Sequence, residues 1–169
     1  MKLISDRDVQ SIDGGGWELV RHVPAGSKWH KATDQLRGTE VYGTPCGATG
    51  ATEWSVEFDN KDFDQFMFAT GDLEKWLIAD KDEVIGSYYS HAPRKIAKSS
   101  TNANPYSAKW YRRQGNNEDP WVSLTDHGPA IGEGNIIYGE NHFGSRHAEN
   151  ILPAHKGANV FIRKQGKCN

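Results

Sequence analysis

The chain has 169 residues, a formal net charge of −2 and a pI ≈ 6.4. That is the size of one domain able to bury a core, without the basic excess that nucleic acid demands of a partner. No apolar run approaches the roughly 18 residues that cross a bilayer, and the opening MKLISDRDVQ turns charged before a signal-type segment forms, so the chain reads as soluble, with no membrane insertion.

Eighteen glycines, six Trp, six Tyr and six Phe stand against two Met, with a mean hydropathy of −0.74. Such usage points to a loop-rich, aromatic-cored protein and away from a helical bundle, which would be heavy in Leu, Ala and Glu. In chain order, DVQSIDGGGWELVRHV reads as a glycine turn feeding a core strand through Trp17, Leu19, Val20 and Val23, ended by Pro24 and Gly26. Trp29 to Arg37 places Trp29, Ala32, Thr33 and Leu36 near helical spacing, which predicts a short helix closed by Gly38. Residues 40–52, rich in Gly, Thr and Pro, read as a loop.

In EWSVEF, Trp54, Val56 and Phe58 alternate with polar residues, the period of a half-buried strand. Phe63, Phe66, Met67 and Phe68 lead to a turn at Thr70-Gly71-Asp72 and a strand over Lys75 to Ala79, most simply joined as a hairpin. Asp59, Asp62 and Asp64 lack the glycine and terminal Glu of a helix-loop-helix calcium loop, and read as solvated turn residues. A strand is expected over Val84 to Tyr89, a short helix over Ser90 to Lys98 and a polar loop over Ser99 to Tyr106. KWYRR and WVSL read as short strands, with Trp110 and Trp121 packed in the core, separated by the oxygen-rich turn Asn116, Asn117, Glu118, Asp119. ANVFIR, residues 158–163, reads as the last strand.

The densest chemistry lies between Gly132 and Asn150, GEGNIIYGENHFGSRHAEN. Its glycines let the backbone turn sharply and approach a ligand. Between them stand Glu133, Asn135, Glu140, Asn141, His142, His147, Glu149 and Asn150. Such a set suits a hard cation such as Ca²⁺, equally the hydroxyls of a sugar, and equally a polar surface loop whose Asn and His satisfy turns. Cys46 and Cys168 either form one disulfide bond or remain separate thiols. Short strands, a few brief helices and long loops without repeats or linkers predict a β-rich α+β fold, a single domain over residues 1–169. A phosphate-binding glycine fingerprint is absent, because the lone GGG lacks the Lys-Ser/Thr ending.

Two segments carry a family likeness. DVQSIDGGGWELVRHV resembles the opening of fibrinogen C-terminal-like domains, and GENHFG followed by ANVFIRK resembles the end of their intelectin branch; together they cover about a third of the chain. The resemblance implies a secreted, extracellular lectin: a loop-rich, fibrinogen-like carbohydrate-binding domain, not an enzyme, that takes glycans or other cell-surface ligands through Ca²⁺ and leaves homo-oligomerisation open. It implies metal-binding by Glu140, Asn141, His142 and Glu149, to which Glu133 and Asn135 of the same oxygen-rich run are added as metal ligands, and ligand contact by His142 and Glu149, with Tyr138 or Phe143 as an aromatic wall. Family members carry several disulfides, whereas here Cys46 and Cys168 are the two cysteines.

Two other functions fit the composition. The aromatics, the near-neutral charge and the absence of Asn-x-Ser/Thr sequons suit a structural subunit of an extracellular fibre, coat or matrix. His142 or His147 with Glu140 or Glu149 could serve a hydrolase as acid and base, but neither Gly-x-Ser-x-Gly nor His-Glu-x-x-His occurs. His127, His142, His147 and His155 offer imidazoles to a transition metal without regular spacing.

Overall fold

The computed structural model describes residues 9–26, 31–85, 94–100, 109–111, 119–124, 136–139 and 156–165. Within them, strands β1 (Glu18–Val23), β2 (Trp54–Ser55), β3 (Gln65–Thr70), β4 (Trp76–Asp80), β5 (Lys98–Ser99) and β9 (Ala158–Arg163) form a six-stranded sheet in the order β2-β1-β9-β3-β4-β5. Strands β6 (Lys109–Tyr111), β7 (Trp121–Ser123) and β8 (Ile136–Tyr138) form a second sheet in sequence order. Every pairing is antiparallel. One turn of helix, α1 (Lys81–Val84), and a 3-10 segment over Val9–Gly14 complete a β-rich, loop-rich architecture.

All six residues of β3 and of β9 are buried, so the sheet is covered on both faces. Because side chains alternate across a strand, Phe66 and Phe68 of β3, Leu77 and Ala79 of β4 and Val160 and Ile162 of β9 meet in the main core with Trp110, Val122 and Tyr138 of the smaller sheet. Met67, Ala69, Ile78 and Phe161 point the other way, under Val9, Ile12, Trp17 and Leu73. Strand β8 packs across β3 and β9, with the Tyr138 ring 5.6 Å from that of Phe68.

The glycine run Gly14 to Gly16 takes φ of 84°, 78° and 83°, which lets the chain double back so that Trp17 Nε1 donates to the Ile12 carbonyl at 2.9 Å. Arg163 of β9 closes this turn: its Nη1 donates to the carbonyls of Asp13 and Gly15 at 2.7 and 3.0 Å, and its guanidinium lies 4.0 Å over the Trp17 ring. A Cβ on Gly15 would sit 2.6 Å from the Gln10 carbonyl oxygen, which is backbone and cannot swing away. Gly15→Ala is therefore expected to lower unfolding stability by about 2 kcal/mol, from left-handed strain plus the clash. A urea midpoint unchanged from wild type would refute that account.

The strands expected around Trp17 to Val23, Lys75 to Ala79, KWYRR, WVSL and ANVFIR form, and the β3–β4 hairpin closes as expected. Trp110 is fully buried as anticipated, while the side chain of Trp121 lies outside the described residues. The segments expected to be helical differ. Residues 34–38 form bends and turns, with Gln35 and Leu36 at φ 61° and 59°, because the backbone wraps the Asp34 carboxylate. Leu36 N–H donates to Oδ1, and the N–H groups of Gly38, Thr39 and Glu40 donate to Oδ2, at 2.9–3.1 Å. Residues 94–98 run extended into β5, held by the Ala97 N–H on the Ile78 carbonyl at 2.8 Å. Val84, expected to open a strand, ends α1 instead. Ile136–Tyr138, within the run read as a ligand loop, is strand β8.

The strand expected over residues 53–58 shrinks to Trp54–Ser55, where strict alternation fails because Ser55 is buried beside Trp54. The cause is in β1. Leu19 pairs with Phe161 and Arg21 with Val160, leaving Val20 as the extra residue of a bulge. The bulge turns both Val20 and Arg21 toward the main core, and the Arg21 Nε donates to the Ser55 hydroxyl at 2.9 Å.

Candidate functional site

Of the residues proposed to bind metal or ligand, Glu133, Asn135, Glu140, Asn141, His142, Phe143 and Glu149 lie outside the described residues, as do His127, His147, Asn150 and His155. Tyr138 is described, and its side chain is fully buried. Its hydroxyl donates to Asp119 Oδ2 at 2.7 Å, so it anchors β8 inside the core instead of presenting a ring to solvent. Gly139 follows, itself buried, with a φ of 86° that only glycine adopts without strain, and the chain leaves the sheet there. The stem of the glycine-rich run is thus fastened from below.

What fastens it is a buried polar cluster. Arg21, turned inward by the bulge, donates through Nη1 and Nη2 to Asp34 at 3.2 and 3.0 Å, and through Nη1 to Asp119 Oδ2. The Arg21 guanidinium also lies 5.2 Å from the centre of the Phe58 ring. Asp119 Oδ1 accepts the Leu36 N–H at 2.8 Å. One carboxylate therefore joins β1, the loop around Asp34 and β8. Burial pushes the Asp119 carboxyl up to about 6 against the pull of Arg21. Burial also works on Asp34, but the Arg21 charge and hydrogen bonds override it and hold Asp34 at about 2. Burial, with Asp119 alongside, raises the Tyr138 phenol well above its ordinary range. Arg21, Asp34 and Asp119 were not among the expected site residues. Their signal was an arginine inside an apolar strand pattern and an aspartate directly before Pro120 and a core strand, both of which also occur on surfaces.

His22 stands buried on the other face of β1, its Nδ1 2.6 Å from Asn159 Oδ1 and its Nε2 2.8 Å from the Gly50 carbonyl. It is a hydrogen-bonded core histidine. Asp59 and Asp62 are exposed and Asp64 is half-buried, taking the Gln165 N–H at 2.8 Å. Asp64 lines a cavity of about 360 Å³ with Phe63, Asp80, Lys81, Asp82 and Gln165. The Lys81 ammonium already covers the Phe63 ring there at 4.0 Å, and Gln65 already holds Asp80. Among the described residues no group of three or more His, Cys, Asp or Glu is arranged to hold a metal ion. Cys46 is exposed, and Cys168 lies outside the described residues. No protein-family model matches the chain, and neither a curated protein nor a solved structure shows significant similarity to it.

Proposed function

We propose that this chain is an extracellular, calcium-assisted carbohydrate-binding domain of the fibrinogen C-terminal-like type, of the intelectin branch. The observation that carries this reading is spatial. The two segments that resemble the family, around Gly14-Gly15-Gly16-Trp17 and around residues 158–163, are 140 residues apart yet lie side by side, since β1 pairs with β9 and Arg163 clasps the glycine turn. A second support is that β8, within the run rich in carboxylates, amides and imidazoles, is anchored through Tyr138, so the residues before and after it stem from a fixed base.

In this proposal Glu133, Asn135, Glu140, Asn141, His142 and Glu149 hold Ca²⁺. The ion supplies a hard positive centre for two adjacent sugar hydroxyls. The ligating carboxylates, Glu149 among them, accept the hydroxyl protons as hydrogen bonds, His142 contacts the ligand, and Phe143 provides the apolar wall. With Tyr138 committed to the core, Phe143 is the aromatic left for that part.

Titration calorimetry against a broad set of glycans is expected to detect binding in Ca²⁺ that weakens at least about tenfold in chelator, a change of about 1.4 kcal/mol. Glu149→Gln is expected to cause a similar loss while leaving the melting temperature in chelator unchanged. Glycan binding that survives chelator, or no binding to any glycan in Ca²⁺, would sink the proposal.

A further inference from the structure

The two sheets meet at a polar joint in which one cation is matched to two carboxyls. Arg21 comes from β1, Asp34 from the loop after it, Asp119 from the approach to β7 and Tyr138 from β8. The side chains of Arg21 and Asp119 are 0% exposed and that of Asp34 is 4% exposed, so water does little to screen them. Among the described residues, Arg21 is the cation bonded to these carboxyls. Tyr42 lies beside the cluster, where it feels Arg21 and Asp119 together with Glu53 and Glu40, and the Lys31 ammonium stands 5.2 Å over its ring.

With both carboxyls ionised the described groups of the joint would carry a buried charge of −1, which is costly without a partner. Two carboxyls that reach each other relieve this by sharing a proton. Asp34 and Asp119 stand against each other across two shared donors, since Arg21 Nη1 and the Leu36 N–H each reach both carboxyls. They are not equivalent, because four backbone N–H groups converge on Asp34 and one on Asp119. Asp34 is thus built to stay charged, and Asp119 to keep the proton.

We propose that the joint holds one proton between Asp119 and Asp34, and that losing this proton loosens β8 from β1, so that pH governs how firmly the smaller sheet is attached. The upward displacement of Asp119 to about 6 agrees with this geometry. For the sign, the folded carboxyl binds its proton more tightly than the unfolded one at 3.8. Stability is then greatest near pH 4 and declines as pH rises through about 6. Below pH 4 the opposite slope begins, as Asp34, held at about 2, is forced to take a proton.

Melting temperatures of wild type and Asp119→Asn, measured from pH 4.5 to 7.5 in chelator without glycan, test this. The wild-type value is expected to fall by on the order of 5 °C relative to the Asn variant, which cannot ionise but still accepts the Tyr138 hydroxyl. Parallel profiles would overturn the proposal. If Asp119→Asn does not fold, carboxyl carbon resonances of the wild-type protein decide. A midpoint near pH 6 at Asp119 supports the shared proton, and a midpoint below 4 refutes it. Amide exchange at Tyr138, corrected for its intrinsic rate, is expected to quicken as pH rises while that at Ile78 stays constant; equal behaviour at both sites would refute the loosening of β8.

Discussion

Arg21→Met is expected to lower unfolding stability by about 3–5 kcal/mol, because it leaves Asp34 and Asp119 buried without their cation. The loss goes beyond two ion pairs. Arg21 also bonds Ser55 and covers Phe58, so the variant removes the donor to the Ser55 hydroxyl, which keeps its bond to the Glu40 carbonyl, and uncovers a ring. A contrast within the same molecule makes the test sharp. Lys61 and Glu18 pair at 2.9 Å with side chains 38% and 54% exposed, and Lys61→Ala is expected to cost under about 1 kcal/mol. Because the damage comes from unmatched carboxylates, Asp119→Asn added to Arg21→Met is expected to recover part of the loss, a positive coupling in a double-mutant cycle. Urea unfolding of the four proteins measures all of this. A cost below about 1 kcal/mol for Arg21→Met would mean that the cluster is not the joint described here.

Phe66→Ala is expected to cost about 3–5 kcal/mol, or a fall of about 10 °C in melting temperature. Phe66 is fully buried at the centre of an aromatic group, its ring 5.1 Å from Phe63, 6.2 Å from Phe58 and 5.8 Å from Phe68. Removing it opens a void that three rings cannot fill at once, since each is fixed by its own strand or loop. Val41, 59% exposed, supplies the control: Val41→Ser is expected to stay within about 0.5 kcal/mol. Calorimetric melting of both variants decides it, and equal losses would contradict the assignment of the core.

The parts of the fold legible in the sequence were those where pattern and burial agree. Phe66, Met67 and Phe68 of β3 and Val160, Phe161 and Ile162 of β9 are apolar on both sides because both sheet faces are covered. What misled was side-chain chemistry acting on the backbone. Trp29 to Arg37 has helical spacing, yet Asp34 gathers four N–H groups and holds the chain in a non-helical turn. Periodicity does not register such a competitor. The bulge at Val20 was equally invisible, and through it Arg21, a charged residue among the apolar ones of the strand, became the centre of the core's polar joint. At the candidate site, composition pointed to the stretch from Gly132 to Asn150, and β8 supplies its footing. The burial of Tyr138 could not be read from the run, because its partner Asp119 stands 19 residues away in an unrelated turn.

Strand β9 lies between β1 and β3, although it is the last of the described strands in chain order. During synthesis, a ribosome must therefore release residue 163 before the six-stranded sheet can close. Until then β1 and β3 each present an unpaired edge to whatever is nearby. Between the synthesis of β3 and that of β9 the nascent polypeptide carries these open edges, and a stop upstream of residue 158 would yield an aggregation-prone fragment instead of a smaller working domain.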